Sequence, residues 1–394
     1  KRVKTIGLLF NEAKLNKESN ICFGEGGAGT FSDGKLTTRK NHPWIRWILD
    51  YLVDCGAPQE IATSGKPHIG SDRLRKVVIE MRKRLLAKGV RVEFGAHVSD
   101  MTLEGEAIQS LRCADGREWT ELDAVIWATG HSARDSYRLL EEKKIPLESK
   151  AFAVGFRIEH PQELVNHWQH KKCKEEVGAA DYSVVHNIDK ERSVYSFCMC
   201  PGGQIVCSSS HEGYHVVNGM SNYARNAQYA NSGLVIKVSP ADFPNKGVMA
   251  GIDFQCEIES KAYQSVGGRY VGPAQRVSDY MAGRISSDLP GSSYKPGLES
   301  VDMRTFLPEA LKESMLKALP AFEKKFPGFS SSDALFIGTE TRTSAPLRIP
   351  RKESGCSEGV SNFYPCGEGA GYAGGIISAA LDGLYIGERI AQRG

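Results

Sequence analysis

The chain lacks a C-x-x-C pair, any apolar run of the roughly 18 residues that span a membrane, and any marked net charge. Its ten cysteines (22, 55, 113, 173, 198, 200, 207, 256, 356 and 366) are scattered over 394 residues. That argues for a reducing intracellular compartment and against a disulfide framework or secretion. Fifty Lys and Arg against 47 Asp and Glu leave +3, which argues neither for nor against nucleic acid. Residue 1 is Lys rather than Met, and there is no secretory h-region and no arginine-rich transit segment, so the expectation is a fragment or a processed product. His167-x-x-His170 has ligand spacing but no third ligand nearby, so a solvated pair, and no metal, is expected.

Glycine is plentiful, and it clusters. Ser361 to Gly375 reads Ser-Asn-Phe-Tyr-Pro-Cys-Gly-Glu-Gly-Ala-Gly-Tyr-Ala-Gly-Gly, and a helix-like run from Ile376 to Ala391 follows. A strand, a glycine turn and a helix start make an anion site, because glycine lets a ligand approach the backbone and the first helical N–H groups point at it. Gly369-x-Gly371-x-x-Gly374 matches G-x-G-x-x-G, yet only 20 residues remain after it. A dinucleotide fingerprint opens a βαβ unit of roughly 30 residues. This turn therefore closes a nucleotide domain.

A second cluster, Gly24-x-Gly26-x-x-Gly29, is followed by Ser, Asp, Gly and Thr residues where a fingerprint helix should begin. A glycine loop offering N–H and hydroxyl groups to a phosphate is favoured over a fingerprint. Pro43–Cys55 reads as a helix with Trp44, Trp47, Ile48, Tyr51, Leu52 and Cys55 on one face. A second helix runs from Ser71, as N-cap, to Gly89; its outer face is basic (Arg73, Arg75, Lys76, Arg82, Lys83, Arg84), which suits a solvated surface better than a nucleic-acid patch. Residues 90–94, 96–101 and 107–113 alternate like strands. Leu122 to His131 rises to a buried strand ending in Ala-Thr-Gly, whose small residues would let a flat cofactor lie against the strand end.

From about residue 151 the texture changes. A helix from Pro161 to about Glu176 is followed by short strands at 182–188, 193–200, 204–209, 214–218 and 234–238, broken by turns such as Pro201-Gly-Gly. They read as an antiparallel meander, a separate body carrying helices at 251–264 and 309–325. Cys198 and Cys200, two apart, fall on one strand face, either as a redox pair or as packing. Residues 335–350 form a Thr/Arg-rich strand returning to the last turn, where Arg342 and Arg348 serve either a charged substrate or flavin edge, or a surface salt bridge.

Taken together, Phe23-Gly-Glu-Gly-Gly-Ala-Gly-Thr-Phe-Ser-Asp-Gly-Lys, Lys66-Pro-His-Ile-Gly, Phe197-Cys-Met-Cys-Pro-Gly-Gly, Glu340-Thr-Arg-Thr-Ser and Gly367-Glu-Gly-Ala-Gly-Tyr-Ala-Gly-Gly resemble the uncharacterised FAD-dependent dehydrogenases, FAD/NAD(P)-binding oxidoreductases of bacteria and plant plastids. The resemblance covers essentially the whole chain. It implies an α/β fold: a discontinuous Rossmann-type FAD-binding domain (1–150 and 331–394, its first βαβ unit and pyrophosphate cradle lying upstream) with an inserted β-rich substrate or cap domain (151–330). It implies FAD contacts at Gly26, Gly27, Thr30, Ser32, Lys35, Val98, Thr129, Gly130, Gly367, Glu368, Gly369, Gly371, Tyr372, Ala373, Gly374 and Gly375; Arg342, Cys198 and Cys200 are the catalytic candidates that the residues themselves offer. It further implies hydride or electron transfer through the flavin to or from a small-molecule substrate, in the cytoplasm or plastid stroma. No second dinucleotide fingerprint marks an NAD(P)H site. Two alternatives stand beside an active oxidoreductase: a flavin-less scaffold, and an RNA-modifying flavoprotein suggested only by the basic 73–91 stretch.

Overall fold

The computed structural model describes residues 2–170 and 177–393. It opens with helix α1 (Arg2–Glu12), whose Ile6 and Leu9 point inward. In α2 (Trp44–Asp54), Ile48 and Leu52 are buried, one turn apart. Trp47, which the spacing puts on the same face, is 53% exposed and stacks on Tyr51 at the helix's outer edge. α3 (Ser71–Ala87) begins one residue earlier than a Ser71 cap requires. Gly70, at φ 78°, holds the cap position, because a Cβ there would run into the backbone of Tyr223; the Ser71 hydroxyl instead donates to Asn222 at 3.2 Å. Residues 90–94 form no strand, and Val90 and Phe94 are exposed. Alternation without a neighbouring strand to pair with yields only loop.

β1 (Val98–Glu104), β2 (Ala107–Cys113) and β3 (Glu118–Thr120) make a small antiparallel sheet. It packs on β4 (Val125–Trp127) and α4 (Arg134–Glu142) through Met101, Ile108, Trp127, Leu139 and Leu140. A short strand, β5 (Glu148–Ser149), leads to the large sheet.

That sheet holds β6 (Phe152–Pro161), β7 (Val185–Asn187), β8 (Ser193–Cys207), β9 (Val217–Ser221), β10 (Tyr229–Val238), β11 (Gly272–Arg276), β12 (Leu298–Ser300) and β13 (Leu335–Glu340), in the order β12-β11-β13-β6-β10-β8-β7 with β9 on β8. All pairs are antiparallel except β11 with β12, so the sheet is mixed. Helices α5 (Gln162–His170), α6 (Ala250–Ser265), α7 (Val277–Ala282) and α8 (Glu309–Lys325) accompany it, and Phe156, Phe254, Phe306, Phe322 and Phe336 fill the shared core. The far end of the helix expected to run to Glu176, with Cys173, lies outside the described residues.

Two expectations fail here for a shared reason. Pro201-Gly-Gly was expected to end a strand, but β8 runs through it, because the strand changes partner there: β10 as far as Gly203, β9 from Gly203 onward. Residues 335–340, expected to return to the last turn, are a central strand between β11 and β6. Long-range pairing decided both.

The chain then returns through β14 (Leu347–Arg348), paired with β5, to β15 (Phe363–Pro365) and α9 (Ile376–Ala391). β15 lies parallel to β4, Phe363 opposite Val125 and Pro365 opposite Trp127. α9 packs Ile377 against Leu52 of α2 and Val77 of α3 in one cluster. Among the described residues no helix is long and apolar enough to cross a membrane.

Candidate functional site

Parallel pairing of β4 and β15 brings two glycine-rich strand ends side by side. The Cys366 amide donates to Trp127 O at 2.9 Å, and Gly369 lies so close to Gly130 that a Cβ would stand 2.7 Å from its carbonyl. Ala128 and Thr129 are exposed just past β4. Tyr137 of α4 donates to Gly369 O at 2.7 Å and so ties the turn to the helix behind it. At Gly371 (φ 87°) a Cβ would meet Leu347 O at 2.9 Å and Arg348 Cα at 3.0 Å; this glycine permits close packing of backbones rather than ligand approach. Gly374 and Gly375 differ, being exposed with open space where a Cβ would stand. They line a cleft of about 750 Å³ with Tyr372, Ser378 and the 37–40 segment, whose Arg39 and Lys40 are exposed.

The 24–36 loop reaches the other end of this turn, Gly29 lying 3.6 Å from Ile376 at the start of α9 by its virtual Cβ. After Gly29 the chain makes a short 3₁₀ turn and then coil, not a fingerprint helix. Gly26 faces the buried Thr30 and Val78, while Gly27 has open space. Ser32 bridges its own loop, donating to Gly29 O at 2.7 Å and accepting from the Gly34 amide at 3.0 Å. Lys35 points away from the loop and donates to Met199 O in the large sheet. Val98 is half-buried against the cluster that also holds Trp127 and Tyr372.

Glu368 and His131 meet at 3.4 Å between the two strand ends. Burial, opposed by Lys150, raises the Glu368 carboxyl to about 7, and the charge of Cys198 adds to the rise. Burial, then Arg342, Arg134 and Lys150, lower His131 to about 4. At neutral pH the imidazole is therefore neutral and the carboxyl titrates near neutrality. The pair is a proton-holding site rather than an ion pair. His131 Nδ1 has no partner among the described residues.

Arg342 forms a salt bridge, but not at the surface. Its guanidinium is buried and holds Glu259 of α6 by Nε at 3.1 Å and Nη2 at 2.9 Å, with Nη1 on Ser210 at 2.6 Å. Arg134, four residues beyond Gly130, holds the same carboxylate at 2.7 Å. Arg348 is exposed with its guanidinium 5.6 Å from the ring of Tyr372.

Cys198 and Cys200 do not occupy a regular strand. β10 pairs Asn231 with Cys200 and Gly233 with Phe197, so two residues of β8 stand opposite Ser232 alone, a β-bulge. Cys198 takes φ 47° and is half-buried, while Cys200 is fully buried. Simple same-face alternation is thus broken at this point. Beneath the bulge, buried Arg157 donates to Cys198 O at 2.6 Å, Asn231 at 2.8 Å and Glu340 at 3.1 Å.

Sequence patterns missed the pair that fastens the closing turn. Asp382, on the second turn of α9, accepts from the Gly367 amide at 2.7 Å and from Arg351 at 2.8 and 3.0 Å. Arg351 also donates to Pro365 O at 3.0 Å and lies 3.5 Å from the Tyr372 ring centroid. The only sequence signal was an acid on the apolar side of α9. The basic face of α3 is largely engaged: Arg73 on the Tyr223 ring, Arg82 with Glu25, and Lys83 and Arg84 with Glu80.

Comparison with known proteins adds the following. A family model described as "FAD-dependent protein, C-terminal domain-like" matches residues 151–343. The chain is 43% identical over 398 residues to an uncharacterized protein of Clostridium beijerinckii, in an alignment covering all of this chain and 74% of that protein. Among solved structures it is similar to CtdE in complex with FAD (10% identity, 81% of this chain, TM-score 0.28) and to an oxidoreductase from Methanosarcina mazei (13%, 91%, 0.34). It spans 57% and 64% of those two chains.

Proposed function

This chain belongs to the family of FAD-dependent proteins, and from that premise we propose that it is an oxidoreductase working through FAD on a small-molecule substrate. The observation carrying the proposal is the junction of Thr129-Gly130 with Gly367–Gly371, which delivers a glycine turn to the start of α9. The parallel β4–β15 pair, with the large mixed sheet lying between them in sequence, supports a Rossmann-type domain interrupted by a β-rich body.

The residues present fit part of FAD. Gly374 and Gly375 offer open backbone in front of the first N–H groups of α9, opposite Arg39 and Lys40, which suits an anionic or electron-rich edge. The helix end contributes roughly 0.3–1 kcal/mol toward negative charge there. Ala128, Thr129 and Gly130 present a low surface for a flat ring. Bound FAD supplies the hydride or electron transfer; the chain positions it and manages the proton. Glu368, with neutral His131 behind it, holds that proton at its carboxyl oxygen near neutral pH. Lys150, with the one positive charge left over when Arg134 and Arg342 share Glu259, adds positive charge beside them, which favours a substrate carrying negative charge.

The test is the flavin content of purified protein, read by absorbance and by release of FAD on denaturation, for wild type and Gly375→Val. A folded variant that has lost the flavin supports the reading. A variant that keeps its full complement of FAD overturns the assignment of this turn, and wild-type protein without flavin points to a scaffold instead.

A further inference from the structure

The bulge in β8 gathers more chemistry than a structural irregularity needs. Cys198 adopts a backbone conformation that non-glycine residues rarely hold, and such residues collect at functional sites. Two cations secure the bulge: Arg157 donates to the carbonyl of Cys198, and Lys35 to the carbonyl of the next residue, Met199. Cys198 is half-buried, whereas the sulfur of Cys200 is sealed beneath, 3.4 Å from Arg157 Nη2 and 3.4 Å from Cys198 O.

The charged and titratable groups around Cys198 come from every side: Asp33 and Lys35 from the first glycine loop, Arg157 from β6, Cys200 from β8, Glu340 from β13 and Glu368 from the closing turn. The carboxylates offset these cations only in part. Asp33 is shared between a bidentate pair with Arg225, at 2.5 and 2.9 Å, and Lys35, at 3.6 Å, while Arg157 pairs with Glu340 at 3.1 Å. Burial raises Glu340 and Glu368 to about 7 each. The two thiols separate accordingly. A hydrogen bond from Cys200, then Lys35 and Arg157, lower Cys198 against the effect of burial; Cys200 is raised by that same hydrogen bond and by burial. A more acidic thiol on a half-buried residue beside a less acidic, fully buried one is the division of labour of attacking and resolving cysteines.

We propose that Cys198 is a nucleophilic thiolate that accepts small disulfides by thiol–disulfide exchange, with Cys200 as the resolving thiol. The Cys198 sulfur attacks one sulfur of R–S–S–R′; that S–S bond breaks, a Cys198–S–S–R bond forms, and R′S⁻ leaves. Cys200 gives up its proton and attacks the Cys198 sulfur, closing Cys198–S–S–Cys200 and expelling RS⁻; the proton goes to one of the two departing thiolates. Two electrons pass from the cysteine pair to the substrate, which leaves as two thiols, one of them ionised. Two cysteines one residue apart on a regular strand stand near the upper limit of bridging distance. The bulge and the left-handed turn at Cys198 depart from that extended rise. A sulfur seated within a sheet between a loop and the closing turn suits a low-molecular-weight disulfide better than one on a protein.

The chemistry belongs to the chain's own thiols and does not depend on flavin binding, so it can fail or succeed separately from the oxidoreductase reading. Native wild-type protein is pulsed with iodoacetamide from pH 5 to 9 and the sites are mapped by peptide mass. Cys198 should react first and reach half its maximal rate below pH 7, whereas an ordinary thiol does so at about 8.5. Half-buried Cys256, whose thiol burial pushes up, is the internal control. Glutathione disulfide is then added: wild type should lose two hydrogens through an internal bridge, and C200S should instead accumulate a glutathione adduct on Cys198. Alkylation of Cys198 no faster than that of Cys256 overturns the thiolate, and a persistent adduct in wild type overturns the role of Cys200. Because the alkylation arm uses no variant, it decides the thiolate claim even if C200S does not fold.

Discussion

Glu259→Gln should destabilise the protein and make its stability less sensitive to acid. Glu259 is fully buried on α6 and accepts from Arg134 at 2.7 Å, from Arg342 at 2.9 and 3.1 Å and from the Thr341 hydroxyl at 2.6 Å. Burial alone would raise its carboxyl, yet Arg134 and Arg342 together lower it from 4.5 to about 2. A group titrating at about 2 when folded and at 4.5 when unfolded contributes roughly 3 kcal/mol at pH 7. Breaking a buried pair by removing one partner costs about 3–5 kcal/mol, which agrees. Because the folded value is the lower one, the contribution is complete above 4.5 and is lost as pH falls through about 2.

The assay is urea unfolding followed by tryptophan fluorescence, for wild type and E259Q, at pH 7, 4.5, 3 and 2.5. Wild type should lead by roughly 3 kcal/mol at pH 7, and the gap should narrow steadily below 4.5. Arg134 already has Nε and Nη1 unpartnered among the described residues, so no spare acceptor stands ready to take over. A gap under about 1 kcal/mol at pH 7, or one unchanged down to pH 2.5, would refute the argument that the two guanidiniums hold this carboxylate ionised.

Glu368→Gln should leave stability unchanged at pH 5 and raise it relative to wild type at pH 8: the folded value, about 7, lies above the unfolded 4.5, so wild type loses stability as pH rises through 7. Parallel thermal melts at the two pH values check this, and equal melting temperatures at pH 8 count against a buried proton-holding carboxyl. Gly369→Ala should cost stability through a Cβ placed 2.7 Å from Gly130 backbone, by roughly 1–3 kcal/mol of overpacking, and lower flavin content with it; melting and absorbance on one sample decide. Asp382→Asn should loosen the closing turn, at a cost of roughly 3 kcal/mol from a broken buried pair, and speed amide exchange at Gly367; unchanged exchange there means the pair does not hold the turn.

What the sequence disclosed depended on how local the deciding interaction was. The closing turn and α9 were legible because glycine spacing and apolar periodicity act within one turn of chain, and the 309–325 helix was legible for the same reason. The continuity of β8 through Pro201-Gly-Gly and the central place of residues 335–340 were not, since both follow from strands that pair across long stretches of sequence. Site residues divided in the same way. Gly130 and Gly369 lie side by side, but Gly371 faces backbone, Lys35 reaches into the large sheet, and Arg342 binds an acid on α6. Each of these side chains is directed by a partner far away in sequence. The bulge at Cys198 shows the same dependence at one residue: the C-x-C spacing reads as two sulfurs on one face, and only the register against β10 separates the half-buried thiol from the sealed one. A pair that would share one face of a regular strand is made unequal in burial by one inserted residue.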